Sequence, residues 1–378
     1  MKGPRCSLNH IDVSGIATMR QVFSGSKFNG DISAWNVGNV LCFDGMFQNS
    51  VFTGDISRWN TQRATSMKAM FAKSEFKGDI STWIVSNVRN MDSMFENAQF
   101  EGDLTAWNTS KVKNMRLMFD GAQGDIKLGT WDVSHVEDMS RMFSGTNRLD
   151  DISKWRTSSC RTMASMFANT RCQPDLSGWD VSNVKDFESM FRLSHFQGDL
   201  SEWDTKNGTN FKKMFEYSRF NGDISKWNMG NAKELQSMFR NAFFAKDIGP
   251  WQIPLDADTH TIFENNDKGL TAQTMGPTML QVHLRNDLRI ADPSWRLALR
   301  RYNEMHEALG LDPCAKMQDV AHFHRTRAAP PESPAAARHV PARRARCLSR
   351  ATRRNCAVRV RAPASVRAAR SPRSASRR

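Results

Sequence analysis

Apolar and polar positions recur along this chain with a fixed step of 24 residues. A tryptophan series runs Trp35, Trp59, Trp83, Trp107, Trp131, Trp155, Trp179, Trp203, Trp227 and Trp251. A phenylalanine series with the same step runs Phe23, Phe47, Phe71, Phe95, Phe119, Phe143, Phe167, Phe191, Phe215, Phe239 and Phe263. A fixed period of this length marks stacked units, none of which buries its apolar face alone. Units starting at Ser7, Asp31, Asp55 and onward give eleven copies over residues 7–270.

Two periodicities are fused inside each unit. Ile80, Trp83 and Val85 alternate toward one side, which predicts a short strand. Thr61, Thr109, Thr157 and Thr205 take the valine place and are still β-branched. Val88, Met91, Met94 and Phe95 then follow helical spacing, with Ser86-Asn87 placed to cap a short helix. Phe100 comes next, and Gly102-Asp103 turns the chain into the following unit. The predicted fold class is therefore an α/β solenoid. It is a leucine-rich-repeat-like, right-handed coil of about eleven strand–short helix units. In it the Trp series is the strand-side core and the Phe series the helix-side core. The fifteen methionines of the Met-x-x-Met-Phe places share the helical phase and are read as core too. In the sixth unit Gly124-Asp125 falls two residues early, yet Trp131 keeps the register.

Beyond the repeats, Asp292-Pro293 opens and Gly310 closes a predicted helix. Its stripe is Trp295, Leu299, Tyr302, Met305 and Leu309. Residues 271–324 are read as a helical cap on the last unit, or alternatively as a partner-binding helix. Residues 325–378 are mostly Arg, Ala, Pro and Ser, with sixteen Arg and one acid, Glu332. That segment cannot bury a core and is predicted to be disordered. It carries +15 of the chain's net +14, leaving the rest at −1. Three readings of it stand side by side: a nucleic-acid-binding tail, a nuclear signal, and an out-of-frame or intronic translation.

Little else points to chemistry. The seven cysteines are scattered, form no CxxC and do not follow the repeat, so they support neither a disulfide framework nor a zinc site. No apolar run approaches the ~20 residues that span a bilayer. Residues 1–10 lack the apolar run of a signal peptide. Either the chain is truncated upstream, or the first unit, with Ile11 in the tryptophan place, is itself the cap. His322 and His324 have no partner ligands nearby in sequence and are read as solvated. Asp31, Asp55, Asp79, Asp103, Asp151, Asp175, Asp199, Asp223 and Asp247 form a ladder. With one carboxylate per unit it falls short of calcium's six to eight oxygens, so turn capping is expected. No catalytic residue, metal or cofactor is expected, because copies of one unit do not converge unlike groups on one point.

The string Gly-Asp-Ile-Ser-x-Trp-Asn-Val-x-Asn-Val-x-x-Met-x-x-Met-Phe stands cleanly at 30–47, 54–71, 78–95, 102–119 and 222–239. It resembles the BspA-like leucine-rich repeat of bacterial surface proteins. More closely, it is similar to the repeat of unknown function first noted in mycoplasma lipoproteins. The resemblance implies a surface-displayed or secreted repeat scaffold used for adhesion or binding. The absent signal peptide and the Arg-rich tail depart from that pattern, and the compartment is left open. Specific binding needs residues that change from unit to unit. The place before each Trp does so, with Ala34, Arg58, Thr82, Ala106, Lys154, Gly178, Glu202 and Lys226. The place after it is mostly Asn or Asp, read as a stacked ladder, with Arg156 an exception. Candidate binding residues are thus Arg58, Lys154, Arg156, Glu202 and Lys226. The expected partner is a protein or surface ligand, and nucleic acid only through 325–378. The alternative is an intracellular scaffold that uses the tail for nucleic-acid binding or nuclear targeting.

Overall fold

The computed structural model describes residues 4–129 and 131–266. The expected cap over 271–324 with Trp295, the His322 and His324 pair and the 325–378 tail lie outside the described residues.

Successive 24-residue copies lie against one another in register. Ten parallel bridges, from Thr18 with Cys42 to Glu234 with Asp258, each join residues one repeat apart. Among the described residues the only strands are β1 (Gly102–Asp103) and β2 (Ile126–Lys127), which pair in parallel with the same step.

No α-helix occurs among the described residues, which departs from the helix expected around Met91 and Phe95. Met91, Ser93, Phe95 and Asn97 donate their N–H groups to Asn114, Arg116, Met118 and Asp120 of the next copy, at 2.7–2.9 Å. Met94, Glu96 and Ala98 fold back on Met91, Ser93 and Phe95 at 3.0–3.1 Å. Alternate peptides therefore stitch copies together and close local turns, which satisfies the backbone without a helix. An α-helix would instead direct its N–H groups to carbonyls four residues back in the same segment. Ser93 and Asn97 adopt left-handed backbone, with φ of 58° and 50°. The same two places are left-handed in all eleven copies, including Gly25, Gly45, Gly121 and Gly145. A left-handed residue at every fourth position excludes a right-handed helix. The spacing of three that suggested a helix is that of consecutive tight turns.

The expected strand at Trp83 and Val85 is also a pair of turns. Trp83 N–H closes on the Ile80 carbonyl at 3.1 Å, and Val88 N–H on that of Val85 at 2.9 Å. Ile80, Trp83 and Val85 are buried all the same. Asn87 does not cap a helix; its amide donates to the Gln62 carbonyl of the preceding copy at 2.9 Å.

The core is a set of ring files running across the copies. Phe23 through Phe263 stack on their neighbours with centroids 5.6–5.9 Å apart. Trp35 stacks on Trp59 and Trp227 on Trp251, each pair at 6.4 Å. Threonine in the valine place uses its hydroxyl: Thr61, Thr109, Thr157 and Thr205 donate to carbonyls of the next copy at 2.8–3.1 Å. That bond removes the cost of burying the group.

Candidate functional site

The tryptophans are not available as an aromatic platform. All ten are buried, none more than 8% exposed. Their polar edges are used as well. Trp35, Trp59, Trp83, Trp107 and Trp131 donate from Nε1 to Leu8, Ile32, Ile56, Ile80 and Leu104, each 27 residues back. Trp179, Trp203, Trp227 and Trp251 repeat the pattern onto Ile152, Leu176, Leu200 and Ile224. A buried indole N–H needs such a partner. Trp155 breaks the pattern and its Nε1 has none.

The Asp ladder caps turns. Asp55, Asp79 and Asp199 accept the N–H of Ser57, Ser81 and Ser201 at 2.8–2.9 Å. Those backbone bonds hold the three carboxyls below the usual carboxylate range. In the place after each Trp the side chains do not stack as an amide ladder. Asn60, Asn108 and Asp180 instead accept the N–H two residues on, at 3.0–3.1 Å. The amide contact between copies runs three places later, where Asn39, Asn87, Asn183 and Asn231 donate to the carbonyls of Ser14, Gln62, Ser158 and Lys206.

The strip beside the Trp file varies from copy to copy and is exposed. Ala34, Arg58, Thr82, Ala106, Lys154, Gly178, Glu202 and Lys226 are all exposed, as is Arg156. Glu202 and Lys226 meet across adjacent copies at 2.6 Å. Arg156 lies beside Asp132 of the preceding copy, whose carboxyl is lowered chiefly by Ser134 hydrogen bonds. Lys154 sits two copies before Glu202, whereas Arg58 is four copies before Lys154 and joins none of them. Lys226 is paired with Glu202, and Arg58, Lys154 and Arg156 leave the strip net positive.

A third ring file escaped the sequence reading. Phe28, Phe52, Phe76 and Phe100 stack at 6.2–6.4 Å, and Phe196, Phe220 and Phe244 at 6.2–6.3 Å. The same 24-residue step would have revealed it. The file is interrupted where Gly124, Arg148 and Cys172 replace phenylalanine. An open cavity of about 740 Å³ lies there, lined by Arg148, Leu149, Asp150, Cys172 and Pro174 among others. Arg148 pairs with Asp125 at 3.4 Å, and Asp150 accepts the N–H groups of Leu128 and Gly129. Cys160 stands in a valine place, where burial pushes its thiol up to about 12. Such a thiol supplies no thiolate near neutral pH.

Among the described residues no group of three or more His, Cys, Asp or Glu is placed to hold a metal ion, and no helix is long and apolar enough to cross a membrane. Register-matched bridges, ring files and repeated caps define a tandem-repeat protein. A family model described as "Mycoplasma protein of unknown function, DUF285" matches at 4–100, 52–124, 73–173, 124–199 and 169–273. These matches cover most of the chain, which belongs to that family. No curated protein and no solved structure matches it.

Proposed function

We propose that the chain is a non-enzymatic solenoid scaffold of the BspA-like surface type, which binds a protein or cell-surface ligand through the strip beside its tryptophan file. One observation carries this reading. Residues that repeat are buried or tied up in caps, while those that vary beside each Trp are exposed. Variation along an exposed strip of an otherwise repeating frame is how repeat scaffolds gain specificity. The test uses beads coated with the full chain and cultured cells. Changing Lys154, Arg156 and Lys226 together to Glu should lower adhesion several-fold with an unchanged melting temperature. Unaltered adhesion rejects the strip.

The second reading is an intracellular scaffold with a nucleic-acid-binding or nuclear-targeting tail. The net charge of +15 on residues 325–378 favours it. Tagged chains with and without 325–378 separate the two readings. Nuclear accumulation that needs the tail supports the second.

A further inference from the structure

One place in the repeat is basic in five of the copies: Arg89, Lys113, Arg161, Lys185 and Lys233, all exposed. Their backbones are locked in a file. Lys113 N–H donates to the Arg89 carbonyl, Lys185 to Arg161, and Thr209 and Lys233 extend the series, at 2.8–2.9 Å. Neighbouring positions in such a ladder stand about 4.8 Å apart. Arg89 and Lys113, and Arg161 and Lys185, are neighbours in it, so their like charges repel. Glu137 is the file's only acid, and it meets Lys113 at 3.0 Å and Arg161 at 3.9 Å. Among the described residues no carboxylate forms an ion pair with Arg89, Lys185 or Lys233. Two residues earlier in the copies, Arg63, Lys111 and His135 are exposed and add to the same band. A cavity of about 450 Å³ opens in it, lined by Lys113, Arg161, Lys185, Ser158 and Asn183 among others, with Glu137 its one carboxylate.

The chemistry of this band selects a partner. Cations repeated along a line suit a polymer with repeated anions. Single-stranded nucleic acid is held on aromatic platforms, and the cavity has no Trp, Tyr or Phe in its lining. Its hydroxyl, amide and guanidinium groups instead match sugar hydroxyls and sulfate oxygens. We propose that this file is a docking surface for a sulfated polysaccharide lying across the copies. It goes beyond the strip beside the Trp file, since it occupies another place in each copy.

The test uses the full chain, heparin as probe, and acetylation of lysines read by mass spectrometry. Residues 325–378 contain no lysine, so polyanion bound to that segment adds no signal there. Heparin should lower labelling of Lys113, Lys185 and Lys233 several-fold and leave Lys77, Lys154 and Lys226 unchanged. Changing Arg161 and Lys185 together to Ser should abolish protection at Lys113. Glu137→Gln should raise the salt concentration needed to restore labelling. Protection absent from the file, or equal at Lys77, overturns the proposal. So does protection confined to Lys154 and Lys226, which would favour the Trp-adjacent strip instead. Equal protection by single-stranded DNA of matched charge rejects the polysaccharide assignment.

Discussion

The left-handed residues set the cost of this backbone. For a residue with a Cβ, left-handed backbone is disfavoured by about 1–2 kcal/mol. Most of the copies accept it at non-glycine residues, among them Leu117, Leu193 and Tyr217. Gly25 has φ of 65° and no atom within 4 Å of an added Cβ, so Gly25→Ala isolates the backbone term. We expect it to destabilise by about 1 kcal/mol in chemical denaturation. Leu193→Gly should do the reverse by about 0.5 kcal/mol, after subtracting the entropy that glycine adds to the unfolded chain. Opposite signs at equivalent places are the prediction; a loss at both removes the strain argument. Trp155 offers a second residue-level test. Its expected acceptor is Leu128, whose local backbone is turned toward Asp150. Trp155→Phe removes no indole hydrogen bond, whereas Trp179→Phe removes one of the two that the Ile152 carbonyl accepts, leaving it the Trp155 backbone N–H. The second change should cost about 1 kcal/mol more in a denaturant melt. Equal losses would show that the indole bonds contribute nothing net.

At the scale of one copy, the sequence made the ring files legible because a constant period needs no knowledge of local conformation. It misassigned the conformation between them. Val88, Met91 and Met94 recur every three residues, and both a helix and consecutive turns bring such residues to one side. Ser93, Leu117 and Lys213 carry no sign of a left-handed backbone, since glycine holds these turns in only four ladder places. The Asp ladder was legible as capping from its turn context, and its lowered carboxyls make the fold's stability depend on acid pH. Asp55, Asp79 and Asp199 have folded values lowered by backbone N–H donors. Their contribution is therefore present above the unfolded carboxylate value of about 3.9 and is lost as pH falls through the lower folded value. Melting temperature should drop below pH ~4. Changing all three to Asn keeps a capping oxygen without the charge, and should flatten that drop. An unchanged acid limb would place the sensitivity elsewhere.

Across the whole array, stability depends on each copy's contact with its neighbours, so one poor junction weakens everything beyond it. The copies containing Gly124, Arg148 and Cys172 form that junction, because the third ring file lapses there. The polar partners change with it. Ser74 and Ser194 accept the N–H of the phenylalanine two residues on, whereas Thr146 and Thr170 donate back to Phe143 and Phe167. Amides of these central copies should exchange with solvent faster than those of the copies holding Phe76 and Phe220. Cys172→Phe tests the cause. Cys172 is half-buried beside the cavity, one copy before Phe196, in the place where Phe76 and Phe220 stack their rings. A ring there should gain an aromatic pair worth about 0.5–1.5 kcal/mol. Hydrogen exchange should slow in the neighbouring copies as denaturant stability rises. Gly124 is the control, since an added Cβ would lie 1.9 Å from the Phe100 carbonyl oxygen. Gly124→Ala should therefore destabilise although it too adds apolar volume beside the gap. If Cys172→Phe leaves exchange in the central copies unchanged, the missing ring is not what weakens them, and the early turn at Gly124-Asp125 becomes the cause to test.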